Sequence, residues 1–113
     1  MIPRLSAAMI IALPLCCTPA SAQQDNAWAQ EKCSRYERAW GEALQFFGTD
    51  GLNYAFIAGN ENFIASGCTE RTAICPRSIE ELDIANALTI AAMNAGAAST
   101  FVPFACDSGV RGN

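Results

Sequence analysis

Four cysteines beyond the N-terminal segment constrain the fold of this 113-residue chain more than any other feature: Cys33, Cys68, Cys75 and Cys106. An even number of cysteines in a short chain with an export signal is typical of a disulfide framework. A chain of this size buries only a modest core, so cross-links contribute much to its stability. The sequence therefore predicts a small protein held together by two disulfides.

The first 22 residues have the three parts of a cleavable bacterial signal peptide. Arg4 supplies a positive charge, a short apolar stretch follows, and Ala20-Ser21-Ala22 matches the A-x-A cleavage signal. The apolar stretch is shorter than the roughly 20 residues of a membrane-spanning helix. We therefore predict cleavage after Ala22, a periplasmic or secreted location, and one small helical domain over residues 23–113.

Two alternatives for the N-terminal segment remain open. The segment could stay uncleaved as an anchor. Lipidation of Cys16 is the other alternative, because residues 13–16 partly match a bacterial lipobox. The match is incomplete, since Leu15 occupies the position where a lipobox has a small residue.

The spacing of apolar residues predicts a long first helix over residues 25–47 and a second helix over residues 50–67. In the first helix, apolar side chains recur every three or four residues, which is typical of one buried helix face. These side chains are Ala29, Cys33, Tyr36, Trp40, Ala43 and Phe47. The second helix repeats less regularly, and we expect Thr49 or Asp50 to cap its start.

A capping box predicts the start of a third helix. Ser78 and Glu81 have the required spacing, so that each side chain bonds the backbone of the other. We expect this helix to continue to Gly96 or as far as Thr100. The residues expected on its buried side are Leu82, Ala85, Leu88, Ala92 and Met93.

The C-terminal segment is apolar but cannot continue the helix, because Pro103 lacks a backbone N–H donor. We expect this segment to lie extended against the helices, with Cys106 tying it down. The fold class is therefore all-α. The predicted architecture is a small disulfide-stapled bundle of about three helices with an extended C-terminal tail.

Four cysteines permit three disulfide pairings. An up-down-up bundle would place Cys33, Cys68 and Cys75 at one end, and an extended tail is long enough to return Cys106 there. This arrangement favours Cys33–Cys68 with Cys75–Cys106. The pairing Cys33–Cys75 with Cys68–Cys106 and the local pairing Cys68–Cys75 stay open. The spacing lacks the C-x2-C pairs that are typical of zinc sites and thiol redox motifs.

The composition argues against several function classes. The chain has no histidine, which removes the commonest general base and most transition-metal sites. Its net charge is −4 and Lys32 is its single lysine, so nucleic acid and anionic membranes are poor partners. We therefore expect no catalytic residues, no metal and no cofactor.

Two pairs of polar residues are candidates for binding a protein partner. Arg71 and Arg77 flank a loop bounded by cysteines, and such loops are frequent recognition surfaces. Asn86 and Asn94 interrupt the alanine-rich third helix, where a polar stripe beside small residues can form a binding face. The same features are also compatible with plain solvent exposure. The Ala/Gly-rich face of the third helix could either pack inside the protein or form the contact of a homodimer.

The C-terminal half resembles a known family. Its segments Cys75-Pro76 and Pro103-Phe104-Ala105-Cys106, together with Leu82 and Phe101, are similar to the corresponding half of periplasmic Tai-type immunity proteins. This resemblance implies a small, helical, disulfide-bonded inhibitor of a type VI amidase effector. The overall architecture is also similar to that of small periplasmic acid-stress chaperones.

Taken together, these patterns predict a non-catalytic periplasmic helical protein that acts by protein–protein binding. An immunity protein against a secreted toxin enzyme is the first alternative, and an acid-stress chaperone is the second. The identity of the partner and the oligomeric state are left open by the sequence.

Overall fold

A computed structural model of this chain describes residue 3, residues 8–14 and residues 20–107. Within these ranges the secondary structure is helical: α1 (Ala20–Phe47), α2 (Tyr54–Ala65), α3 (Ile79–Asn94) and a 3-10 turn at Ser99–Phe101. Two disulfides join Cys33 to Cys68 and Cys75 to Cys106. The all-α class, the three helices, the extended tail and the favoured pairing are therefore confirmed.

The structure describes only part of the predicted signal peptide. Helix α1 begins at Ala20, upstream of the cleavage site predicted after Ala22, and Cys16 lies outside the described residues. Cleavage, lipidation and the single domain over residues 23–113 thus stay predictions. No helix in the described part of the chain combines the length and the apolar character needed to cross a membrane.

Helix α3 runs antiparallel to α1, which contradicts the up-down-up bundle. The Ser78 hydroxyl, just before α3, donates to the carbonyl of Gly51 at 2.7 Å, so α3 starts beside the turn that joins α1 to α2. At the far end, a Cβ on Gly96 would lie 3.6 Å from the Trp28 ring. The favoured disulfide pairing is confirmed, but Cys75, which lies just before α3, does not share the end of the bundle that holds Cys33 and Cys68.

The segment between α2 and α3 returns along α2 and pairs with the tail. The backbone nitrogen of Ile74 donates to Pro103, and that of Ala105 donates to Ile74, at 2.9 and 3.0 Å. The Ile74 side chain lies so close to Gly59 that a Cβ there would be 2.8 Å from its Cγ1. Gly59 therefore allows the close approach of the segment between α2 and α3.

The predicted core face of α1 is confirmed over its central part. Cys33, Tyr36, Trp40 and Ala43 are buried, whereas Ala29 and Phe47 at the ends of the pattern are exposed. The remaining core side chains come from α2, α3 and the two extended segments: Phe56, Phe63, Ile74, Ile84, Leu88, Ala92 and Val102. The core therefore lies where α1 packs against α3, α2 and the tail.

The buried face of α3 differs from the prediction at two positions. Ala85, Leu88 and Ala92 are buried as expected, but Leu82 and Met93 are 47% and 52% exposed. The helix is apolar on opposite sides, so its hydrophobic spacing does not identify the side that faces the core. The contact between α1 and α3, mediated by small residues such as Ala91 and Ala95, selects the other side.

The residues that cap α2 and α3 agree only in part with the predicted ones. Helix α2 is capped by Asn53, whose side chain accepts from the Phe56 nitrogen at 2.8 Å, not by Thr49 or Asp50. At α3, the Ser78 hydroxyl accepts from the Glu81 nitrogen, as the capping box predicts. The Glu81 carboxylate does not return to Ser78, because it accepts hydrogen bonds from other backbone nitrogens.

Candidate protein-binding surfaces

The four polar residues proposed from the sequence are all exposed but do not form one patch. Arg77 lies just before α3, beside a groove bordered by Asn53 and Ile74. Arg71 borders a groove formed with the 3-10 turn, which follows the opposite end of α3. Asn86 and Asn94 lie on α3, eight residues or about 12 Å apart along the axis. Arg71 and Arg77 thus border different grooves.

The buried polar groups of the interior serve the fold. The Tyr36 hydroxyl donates to Asn60 Oδ1 at 2.6 Å, and Asn60 Nδ2 donates to the Phe56 carbonyl at 2.9 Å. Burial raises the pKa of the Tyr36 phenol above its usual range, because the charged form would be desolvated. Asn60 is completely enclosed. This pair therefore joins α1 to α2 and offers no access to a ligand.

The described side chains do not assemble a metal site. All four cysteines beyond residue 32 are oxidised and hence lack the thiolates that zinc requires. Across residues 25–107, no group of three or more cysteine, aspartate or glutamate side chains is placed to hold an ion. Glu70 borders a groove with Asn62 and Thr72, and Arg71 does not line this groove.

Three aromatic side chains are exposed where α1 ends and α2 begins. Phe46 and Tyr54 are 83% and 85% exposed, and Phe47 is 38% exposed. The Phe46 and Phe47 rings are in edge-to-face contact, with centroids 4.8 Å apart. We call this surface, formed by Phe46, Phe47 and Tyr54, the aromatic end. Sequence reasoning missed it, although adjacent aromatic residues in a helix point about 100° apart, so that they cannot both lie at the centre of the buried face.

The turn that leads from α1 to Tyr54 is held in place by hydrogen bonds to residues at the start of α3. The fully buried Glu81 carboxylate accepts from the Asn53 nitrogen at 2.7 Å and from the Arg77 nitrogen at 2.8 Å. The turn between α1 and α2 is further fixed by the bond from Ser78 to Gly51. Tyr54 directly follows Asn53, so its backbone position is set by this network.

Acidic side chains surround the aromatic end. Glu42 lies one helical turn before Phe46, and Asp50 lies in the turn between α1 and α2. The Glu80 carboxylate is next to Gly51, where a Cβ would be 2.7 Å from its Cδ. All three acids are exposed, and Arg77 is a nearby cation. The aromatic end is therefore an apolar surface in a negatively charged setting.

A second apolar surface lies on the side of α3 that faces away from α1. Its side chains are exposed and recur every three or four residues. We call this surface the outer face of α3; it consists of Ile79, Leu82, Asn86, Ile90 and Met93. Asn86, proposed from the sequence as a binding residue, is at its centre.

No family model, curated protein or solved structure matches this chain. Its own surface therefore carries the functional argument. That surface combines a rigid, disulfide-linked scaffold with two separate exposed apolar regions, the aromatic end and the outer face of α3. Such regions on a folded protein mark sites of interaction with other macromolecules.

Proposed function

We propose that this protein is a non-catalytic exported module that binds a protein partner through its aromatic end. The observation that carries the proposal is the exposure of Phe46 at the end of α1 and of Tyr54, which follows the Asn53 backbone held by Glu81. Aromatic side chains dominate the energy of many protein interfaces. Anchors that are already ordered lose less conformational entropy on binding, which raises affinity.

Export is supported by the cross-links. Disulfides persist in oxidising compartments, such as the bacterial periplasm and the extracellular space, and are rare in the cytosol. Both disulfides close loops that fasten separate elements, α1 to the end of α2 and the returning segment to the tail. The N-terminal A-x-A signal agrees with the same destination.

The charge around the aromatic end indicates the chemistry of the partner. Exposed Glu42, Asp50 and Glu80 would repel an acidic surface and attract a basic one. The expected partner therefore has an apolar pocket for Phe46 and Tyr54, surrounded by lysine or arginine side chains. Its association should slow as salt is added, because exposed charges are screened.

A toxin inhibitor is the alternative within the same class. The resemblance to Tai-type immunity proteins is carried by residues such as Cys75, Pro103 and Cys106, which fasten the tail to the bundle. These residues support a similar construction of the tail and do not themselves form the aromatic end. A secreted enzyme recovered as the partner would favour the inhibitor, and loss of its activity in the complex would establish inhibition.

The test is a pull-down from a native envelope extract with three forms of the oxidised protein. These are the wild type, the double variant Phe46→Ala/Tyr54→Ala, and the control variant Ile90→Ser on the outer face of α3. We expect one stoichiometric partner that binds the wild type and the control, and binds the double variant at least about 30-fold more weakly, as for two interface anchors. A partner retained by the double variant, or lost equally from the control, would overturn the proposal.

A further inference from the structure

The outer face of α3 is apolar although it lies in solvent. Its four apolar side chains are between 47% and 75% exposed, with Ile79 the most accessible. The opposite side of the same helix, which includes Ile84 and Leu88, is fully buried in the core. A helix that is hydrophobic on both sides is usually covered on both sides. The outer face therefore has the composition of a contact surface.

The outer face is symmetric about Asn86. Leu82 and Ile90 lie four residues to either side of it, and Ile79 and Met93 lie seven residues to either side. When two copies of α3 cross antiparallel with Asn86 opposite Asn86, Leu82 meets Ile90 and Ile79 meets Met93. Every apolar side chain of this face then meets an apolar side chain, and the two amides meet each other.

The charges of α3 favour the antiparallel orientation over the parallel one. Exposed Glu80 and Asp83 lie in the first half of the helix, and residues 84–94 carry no charge. A parallel pair would bring the acidic halves together, and facing like charges weaken an interface. An antiparallel pair opposes each acidic half to an uncharged half. It also places the exposed Arg77 beside the carboxyl end of the facing helix, where a cation is favourable.

We propose that the outer face of α3 binds a second copy of this chain, in an antiparallel two-fold dimer centred on Asn86. A two-fold interface is formed by the same patch on both subunits, which the symmetric pattern satisfies. A polar asparagine within an apolar seam fixes the register of paired helices, because a shifted register leaves its amide without a partner. The alanine-rich face considered from the sequence is not used, since Ala91 and Ala95 lie against α1.

The size of this surface sets the expected affinity. Helix α3 has 16 residues and is about 24 Å long. Paired helices of this length bury an area close to the roughly 1,000 Å² minimum of a specific interface, which places the dimer in the weak class. We therefore expect a Kd in the micromolar range or above, because larger interfaces already reach only micromolar Kd values when they lack strong anchors. The dimer leaves the two aromatic ends at opposite ends of the pair, so it is independent of the partner proposed above.

The test is sedimentation of the oxidised protein at concentrations on both sides of the expected Kd. The wild type should shift from monomer to dimer as concentration rises, and Ile90→Glu should raise the Kd at least 10-fold. The double variant Leu82→Lys/Ile90→Glu should dimerise more tightly than Ile90→Glu, because antiparallel pairing sets each lysine opposite a glutamate. Helix content by circular dichroism should be the same in all forms, since both positions are exposed.

The possible results test the dimer, its antiparallel register and partner binding separately. A wild type that stays monomeric, or an Ile90→Glu variant that dimerises as the wild type does, would overturn the dimer at this face. A double variant that dimerises no more tightly than Ile90→Glu would overturn the antiparallel register. The variant Phe46→Glu should dimerise normally, so loss of partner binding through the aromatic end is measured separately from loss of the dimer.

Discussion

The Glu81 carboxylate accepts a 2.7 Å hydrogen bond from the backbone nitrogen of Asn53, 28 residues earlier in the chain. Its other oxygen accepts from the Arg77 nitrogen at 2.8 Å and from the Asn53 side chain at 3.4 Å. Glu81 is completely buried. One side chain thus joins the start of α2 to the start of α3 and sets the backbone that carries Tyr54.

We expect Glu81→Ala to lower the free energy of unfolding by about 3 kcal/mol. The substitution leaves two backbone N–H groups, at Asn53 and Arg77, without their charged acceptor, and unpaired groups of this kind are costly. Glu81→Gln should lower it by about 1–2 kcal/mol, because the amide keeps one neutral acceptor oxygen. Urea denaturation of the oxidised protein measures both values.

Glu80→Ala is the matched control, because Glu80 is an adjacent glutamate in the same helix turn but is exposed. It should change stability by less than about 0.5 kcal/mol, as most surface substitutions do. Equal losses for Glu80→Ala and Glu81→Ala would contradict the role given to the buried carboxylate.

Gly59→Ala should destabilise the protein by about 1–2 kcal/mol, although alanine is the better helix former. A Cβ at this position would lie 2.8 and 2.9 Å from Cγ1 and Cδ1 of Ile74, and such overpacking outweighs the gain in helix propensity. Ile74→Val removes Cδ1, so the loss caused by Gly59→Ala should be smaller in that background. Thermal denaturation of the four forms in this double-mutant cycle gives the coupling.

Gly41→Ala serves as the comparison for the glycine in α2. Gly41 is also in a helix, but nothing lies within 4 Å of its Cβ position. This substitution should stabilise the protein by about 0.5–1 kcal/mol, because alanine restricts the unfolded chain and favours the helix. A stabilising Gly59→Ala would show that the Ile74 contact does not restrict that position.

The buried face of α1 and the cap of α3 could be predicted from the sequence, because both depend on residues a few positions apart. Cys33, Tyr36 and Trp40 are buried because a regular three-and-four spacing defines a single helix face. The capping hydroxyl of Ser78 was found for a similar reason, since its partner lies only three residues away. Both features are set by residues three or four positions apart, so local spacing reveals them.

The direction of α3 and its exposed face could not be predicted in this way. Residues 66–78 are enough to make a tight turn or to return along α2, so loop length allows both topologies. Leu82 and Met93 were assigned to the core because α3 is apolar on both sides. The backbone position of Tyr54 depends on the contact between Glu81 and Asn53, and no local pattern reveals a bond across 28 residues.

Tyr36→Phe should change how stability depends on alkaline pH. Burial raises the phenol pKa in the folded protein above the value of 10.0 expected for the unfolded chain. As pH rises above 10, the unfolded chain releases this proton first, so wild-type stability is constant below that pH and falls above it. The fall contributed by Tyr36 approaches about 1.4 kcal/mol per pH unit, and Tyr36→Phe should remove it.

The same variant has a separate effect at neutral pH. Removing the hydroxyl leaves Asn60 Oδ1 without its 2.6 Å donor, which should lower stability by about 1–2 kcal/mol. Urea titrations from neutral pH to pH 11 distinguish the two effects. Parallel losses of stability in wild type and variant above pH 10 would show that Tyr36 does not cause the alkaline decline.

The two disulfides should contribute similar free energy but protect different regions. They span 35 and 31 residues, so loop-closure entropy gives about 3–4 kcal/mol for each. Replacing Cys75 and Cys106 by alanine should release the tail. The backbone pairing of Ile74 with Phe104 lies directly beside this disulfide and should open with it. Hydrogen exchange at the Ile74 and Ala105 amides should then increase strongly.

Replacing Cys33 and Cys68 by alanine should leave those two amides protected, because the tail keeps its own cross-link. It should instead speed exchange at the Cys68 amide, which donates to the Phe63 carbonyl at the end of α2. Local opening is measured separately from global unfolding by comparing each amide with the free energy from urea denaturation. If either pair of substitutions speeds amide exchange equally in both regions, the two disulfides stabilise one cooperative unit and do not protect separate regions.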